Sequence, residues 1–336
     1  MKQKIKISDP SLRDGSHAVS HQISTESIAR YCKFAEAAGI SIIEVGHGNG
    51  LGASSILIGE SLVSDAEQLR TAKENLVNTK LSVHTIPGLA TIKKDISQAI
   101  DAGVDIFRVA CHCTEATVTK SHIEFLKKHD KIVYGTLMMS ALIDANTLIE
   151  QASKMKQYGA DGIVLMDSTG TYMPKDVTEK VTRLKELEVL VAFHAHNNLG
   201  LSVANSLAAA EAGADIVDAC IRGFGAGAGN TPLEIIIPVL EKNGFDTGID
   251  FKMVIKEADA VMNYLVKNQP ISAPINVLTG LNRLFSGFEK PIIKAAKLFD
   301  VEYSSLIFEL GNRKLVAGQE DLIIETAKRL QENNNK

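Results

Sequence analysis

Tryptophan is absent from this 336-residue chain, proline occurs eight times and cysteine four. No apolar run approaches the roughly 18 residues that a membrane-spanning helix needs. Four thiols, Cys32, Cys111, Cys113 and Cys220, are too few for the disulfide framework of a secreted protein, which predicts a reducing, cytoplasmic setting. Cys111-His112-Cys113 has no second cysteine pair to complete a metal site, so these thiols read as buried. An excess of positive charge is missing too. With 36 basic against 40 acidic residues the net charge is −4, and no basic field is available to hold a nucleic acid or an anionic membrane. The start, Met1-Lys2-Gln3-Lys4-Ile5-Lys6, is basic but lacks the apolar stretch of an export signal. What is present, 45% hydrophobic and 23% charged residues, can bury a sizeable core.

Internal repetition gives the architecture. A small residue and a glycine precede a β-branched run at Gly39, Gly103, Gly159 and Gly213. Each glycine fits just past a helix end, where the left-handed conformation is cheapest without a Cβ, and each following run reads as a buried strand. The glycines lie 64, 56 and 54 residues apart, about twice the ~30 residues of one strand-plus-helix unit. A further strand is expected in each gap: Lys80–Ile86, Lys131–Met138 and Val189–Phe193, with Ile5–Ser8 opening the series. Eight strands alternating with helices such as Glu26–Ala37, Asp144–Gln157 and Leu201–Ala212 predict an α/β fold, a (β/α)8 TIM barrel over 1–248. Helical patterns then take over, at Phe251–Val266, Gly287–Phe299, Tyr303–Leu310 and Glu320–Gln331. They predict a C-terminal helical domain over 249–336.

Function in such barrels sits after the strands. The first strand is followed by Arg13, Asp14 and His17, a cation, a carboxylate and an imidazole within five positions. On the seventh, His194 and His196 stand two apart and so point to one face, with the small Ala195 between them. Two inward imidazoles with the Asp14 carboxylate make a ligand set better suited to Mn, Fe, Co or Zn than to Mg or Ca. After the eighth strand, Thr231 reads as an N-cap, Pro232 as the first helical residue and Glu234 as the closure of a capping box. The glycines at 223, 225, 227 and 229 ahead of it would expose backbone N–H groups to an anion, and Asn230 lies beside them. Glu44, His47 and Asn49, His112 and Glu115, and Asp167 and Ser168 are weaker strand-end candidates, for which hydrogen bonding within loops is the plain alternative.

Taken in order, Leu12-Arg13-Asp14-Gly15-Ser16-His17-Ala18, Ile43-Glu44-Val45-Gly46-His47-Gly48, His112-Cys113-Thr114-Glu115-Ala116, Leu137-Met138-Met139-Ser140, His194-Ala195-His196, Gly225-Ala226-Gly227-Ala228-Gly229-Asn230 and Gly318-Gln319-Glu320-Asp321 resemble the 4-hydroxy-2-oxovalerate aldolases of the DRE-TIM metallolyase superfamily. The resemblance implies a class II pyruvate aldolase. Asp14, His194 and His196 would bind a divalent ion, most often Mn2+, with Co2+ or Mg2+ as substitutes. Arg13 would stabilise the pyruvate enolate, and His17 would act as base on the C4 hydroxyl. Ser168, Asn230 and Phe285 would line the substrate site. It also implies a 2-oxo acid substrate, a homo-oligomer, and an acylating aldehyde dehydrogenase as partner through the helical domain. One segment departs from the family: Leu281 and Phe285 stand at its two tyrosine positions, one of which helps protonate the enolate. His84 and Thr85 replace leucines of the aldehyde pocket, and Arg283 is an added charge, so a larger or more polar aldehyde is expected. Two other readings are an acyl-CoA lyase or synthase of the same superfamily and a non-catalytic subunit. The first would place a cysteine in the glycine loop, and Arg222–Asn230 has none. Against the second stand Arg13, Asp14 and His17, all intact.

Overall fold

The computed structural model of the protein describes residues 2–313, 315 and 318–334. Eight parallel strands, β1 (Lys6–Leu12), β2 (Ile42–Val45), β3 (Lys80–Thr85), β4 (Ile106–His112), β5 (Ile132–Met138), β6 (Gly162–Asp167), β7 (Leu190–Ala195) and β8 (Ile216–Asp218), pair in sequence order. Because β1 also pairs with β8, the sheet closes into a barrel. The expected TIM barrel is therefore present. At the four repeat junctions Gly39, Gly103, Gly159 and Gly213 have φ of +79°, +83°, +107° and +99°, the left-handed geometry that a side chain would strain.

The barrel interior changes character along its axis. Ile42, Ile106, Tyr134, Val164, Ala192 and Ile216 form one buried apolar cluster. Two residues further along their strands, hence on the same face, stand Glu44, Arg108, Thr136, His194 and Asp218, all buried. A packed apolar floor thus supports a layer of charge. Around the barrel, the helices Thr25–Ala38, Ala145–Gln157 and Ser202–Glu211 match their expected positions within a residue or two.

Beyond β8 two expectations change. The helix expected over Phe251–Val266 ends at Ala260 and tightens into a 3-10 turn, Val261–Asn263. There Tyr264 turns back, its hydroxyl on Glu257 and its ring 3.9 Å from the Arg30 guanidinium. A helix at Pro274–Leu281, opened by proline and by Asn276 Oδ1 accepting from Ala273 N, went unread. Val254, Ala258, Val261 and Val266 belong to the barrel's core cluster, whereas a second cluster runs from Ile275 through Leu284, Phe288, Leu306 and Ile323. No helix among the described residues is long and apolar enough to cross a membrane.

Candidate metal centre and active site

The turn after β1 brings the chemistry to the barrel mouth. Arg13 is buried and spends its guanidinium on three acceptors: Nε donates to Glu44 Oε1 (2.6 Å), and Nη1 to Asp14 Oδ1 (2.8 Å) and Gly48 O (3.2 Å). Its Nη2 is buried without a partner. Burial alone would raise the Asp14 carboxyl, but Arg13 and the neighbouring imidazoles hold it well below the usual carboxylate range. It is an anion at neutral pH.

Ligand atoms of Asp14, His194 and His196 all lie within 4.8 Å of one another, and the three residues are buried. Two of the three side chains are anchored by hydrogen bonds. Asn230 Nδ2 (2.7 Å) and Ala226 N (3.1 Å) donate to Asp14 Oδ2. His194 Nδ1 meets Asp218 Oδ2 at 2.9 Å, leaving His194 Nε2 buried without a partner, as is His196 Nδ1. Burial pushes His196 down to about 3, so its ring is neutral and can donate a lone pair. A carboxylate-oriented imidazole, the neutral ring of His196 and a fixed carboxylate fit a divalent metal ion.

Behind these ligands runs a buried chain of charge. Arg108 is bidentate to Asp218, through Nη1 (2.5 Å) and Nη2 (2.7 Å), and its Nε lies 3.2 Å from Glu44 Oε2. Arg13, Glu44, Arg108, Asp218 and His194 are therefore linked in series, so each charge is paired although none is solvated. Of these, only Arg13, His194 and Glu44 were picked out in the sequence. Arg108 and Asp218 each stand as a charge at an inward position of an otherwise β-branched run, a signal of a buried charge although not of its partner.

Three amides of the glycine loop are already engaged. Ala226 N donates to Asp14, and Gly229 N and Asn230 N bond within the loop. A Cβ at Gly225 would lie 2.3 Å from Asn230 Nδ2 and 2.8 Å from Asp14 Oδ2, so the glycine admits the carboxylate itself. The capping box is absent. The helix starts at Leu233 after Pro232; Thr231 Oγ1 bonds Ser206 Oγ and Ser202 O, and Glu234 Oε2 accepts from Arg222 N.

His17 lies across the mouth, its Nε2 buried without a partner. Burial, with Arg13 assisting, lowers it from the ordinary imidazole value of 6.5. The Phe285 ring meets it edge-on, centroids 6.4 Å apart. Ser168 Oγ accepts from Met139 N (2.9 Å), and its carbonyl accepts from Ser286 N and Oγ. Asn230 Oδ1 is buried and unpartnered. Of the weaker candidates, Glu44 enters the site through Arg13 and His47 stacks on His21 at 3.6 Å. Asp167 instead braces its own loop by accepting from Thr171 N and Tyr172 N, and His112 bonds Thr114. Cys111 and Cys113 are buried free thiols.

A family model described as HMGL-like matches residues 4–261, and one described as a DmpG-like communication domain matches 272–332. A protein of Pectobacterium atrosepticum named 4-hydroxy-2-oxovalerate aldolase is 50% identical over 335 residues, covering 99% of this chain and 98% of the relative. One of the same name from Spirochaeta aurantia is 49% identical over 333 residues, with coverage of 99% and 98%. Among solved structures, the carboxyl transferase domain of Rhizobium etli pyruvate carboxylase superposes with a TM-score of 0.83 at 17% identity, covering 100% of this chain and 62% of that one. The N-terminal domain of a putative aldolase from Bacteroides vulgatus gives 0.72 at 24% identity, covering 84% and 94%. These two likenesses concern the fold.

Proposed function

The chain belongs to the 4-hydroxy-2-oxovalerate aldolase family, and from that premise we propose that it cleaves a 4-hydroxy-2-oxo acid to pyruvate and an aldehyde, or runs the reverse condensation. It is a carbon–carbon lyase with a site for a divalent metal. The observation that carries the proposal is the set of unpaired atoms gathered at one mouth: Arg13 Nη2, His17 Nε2, His194 Nε2 and His196 Nδ1.

A divalent ion, which we take to be Mn2+, would be held by Asp14, His194 and His196 and would supply Lewis acidity toward the keto oxygen of the substrate. Arg13, fixed on two sides by Glu44 and Asp14, presents Nη2 to that oxygen as negative charge develops there. His17 Nε2 takes the proton from the C4 hydroxyl. The C3–C4 bond then breaks, its electrons pass into the pyruvate enolate, and C4 becomes the aldehyde carbonyl. A depressed His17 pKa keeps this base unprotonated at neutral pH, so the acid limb of kcat/KM falls below pH 6.5. Ser168, Asn230 and Phe285 border the substrate. Phe285 brings a ring to the tyrosine position without a hydroxyl to move a proton.

His84 is buried with Nδ1 unpartnered, and burial and then Arg13 push it down to about 3. A neutral imidazole there offers an acceptor or donor to a hydroxylated aldehyde. For the unit over 272–332 we propose an acylating aldehyde dehydrogenase as partner, with exposed Ile293, Leu298 and Phe308 as apolar surface, and assembly as a homo-oligomer. In place of the boundary expected at 248, we propose one in the stretch 267–274, because Val254, Ala258, Val261 and Val266 pack in the barrel's cluster and the second cluster begins at Ile275. The free buried thiols suit a reducing, cytoplasmic setting.

The test is pyruvate release by metal-stripped protein from a panel of 4-hydroxy-2-oxo acids, with Mn2+, Co2+ or Mg2+ added separately. Mn2+ restores turnover, and hydroxylated substrates outpace aliphatic ones. Asp14→Asn, His194→Ala and His196→Ala abolish the response, whereas Arg13→Ala lowers turnover by about 10²-fold with Mn2+ still bound by electron paramagnetic resonance. Wild-type rates from metal-stripped Arg13→Ala would overturn the mechanism, and equal rates across the panel would overturn the role of His84.

A further inference from the structure

We propose that Lys290 is a positioning residue of the aldolase reaction, which from the helical unit clamps the turn carrying His17. The inference rests on the role of His17 as base and adds a residue from outside the barrel. Lys290 Nζ donates to His17 O (2.9 Å), Ala18 O (3.4 Å) and Ser20 Oγ (3.2 Å). Two of these acceptors are carbonyls at the end of the 3-10 turn Asp14–His17, where a cation is favourable; His17 O also accepts from Ser20 N (3.2 Å).

The turn needs such a clamp. Directly after it, Ser20 and His21 take φ of +53° and +62°, left-handed geometry that costs a non-glycine residue on the order of 1 kcal/mol or more and persists only when the surroundings impose it. His21 N on Ser16 O (2.7 Å) and the His21–His47 stack hold one side of the bend, and Lys290 holds the other. The lysine's own position supports this reading. It sits in the first turn of the helix Glu289–Leu298, where the helix dipole disfavours a cation, so its three oxygen partners offset a local penalty. Phe285 of the same unit touches the His17 ring edge-on. The helical unit therefore grips the base by its backbone and by its ring.

Lys290 is exposed and all four cysteines are buried, which permits a chemical test in the full-length protein. Lys290→Met and Lys290→Cys are compared with wild type and with His17→Ala for kcat, KM and Mn2+ dissociation constant; the cysteine variant is then aminoethylated to rebuild the amine. Expected is a fall in kcat of about ten- to a hundredfold in both lysine variants, with KM and Mn2+ affinity held within about twofold, and recovery of most of kcat on aminoethylation. Wild-type kcat in Lys290→Met beside an inactive His17→Ala would overturn the clamp alone, as would a loss that aminoethylation does not reverse or one accompanied by lost Mn2+ binding. Full turnover by His17→Ala would overturn the assignment of the base and the clamp with it.

Discussion

The reactive side chains fit where they do because particular neighbours have no side chain at all. Gly48 shows this best: a Cβ built there would lie 2.4 Å from His17 Nε2 and 2.5 Å from its Cδ2, closer than any real contact, while Gly48 O also accepts from Arg13 Nη1. Gly48→Ala must therefore drive the imidazole out of its place and leave Asp14, His194 and His196, the ligands we propose, standing. With His17 as the base we propose, kcat should fall about 10²-fold, the scale for a displaced general base, with the Mn2+ dissociation constant unchanged. Parallel steady-state kinetics and Mn2+ titration check it. Equal damage to both quantities would mean that Gly48 shapes the metal centre rather than the base.

At the scale of elements, β1 and the helix Thr25–Ala38 are joined by a buried polar pair. Tyr31 OH donates to Asp9 Oδ2 (2.6 Å), and Ser11 N (2.8 Å) and Oγ (2.5 Å) donate to Oδ1. Burial outweighs these bonds and pushes Asp9 up to about 6 from 3.8. The folded state then binds its proton more tightly than the unfolded chain does, so stability is fully present below the unfolded value and declines as pH rises through about 6. Asp9→Asn removes that titration. Urea unfolding of wild type should lose on the order of 2–3 kcal/mol from this group between pH 4 and pH 7.5, and the asparagine variant should show a flatter profile with a higher midpoint at pH 7.5. A steeper profile in Asp9→Asn would contradict the assignment. The elements themselves were readable in advance where one signal sufficed: glycine after a helix followed by a β-branched run located half the strands, and period-two spacing placed both histidines on one face. Thr231 defeated the same style of reading. Its hydroxyl has better partners in Ser206 and Ser202, 25 and 29 residues upstream on the preceding helix, which packs alongside across β8. Arg108 and Asp218 are paired across 110 residues of sequence, a distance over which no local pattern speaks.

For the whole molecule the issue is how the helical unit stays on the barrel mouth, and the residue that answers it lies just past the histidine pair. Asn198 is fully buried and reaches across: Nδ2 donates to Asn276 O (3.0 Å), Oδ1 accepts from Ser286 Oγ (3.1 Å), and the side chain is wedged between Gly170 and Gly280, where added Cβ atoms would stand 2.6 Å and 3.0 Å from it. Ser286 also bonds Ser168 O, and Ser272 Oγ donates to Asn197 O (2.6 Å), so Asn198 is the centre of a short polar seam between two separate hydrophobic clusters. Nothing in the sequence marked it, because its partners lie about 80 residues downstream in a segment whose opening helix was itself unread. Asn198→Ala strips both bonds and leaves Ser286 Oγ and Asn276 O partly unsatisfied in a buried place, a loss of about 2–4 kcal/mol. Since each unit keeps its own core, the loss should fall on the contact rather than on the barrel. We expect amide hydrogen exchange to accelerate in 272–298 and in the turn 16–21 that Lys290 holds, while β4 to β6 stay protected and Mn2+ still binds. Uniform acceleration through the barrel strands would instead make Asn198 a core residue of the barrel, with the helical unit carried along passively.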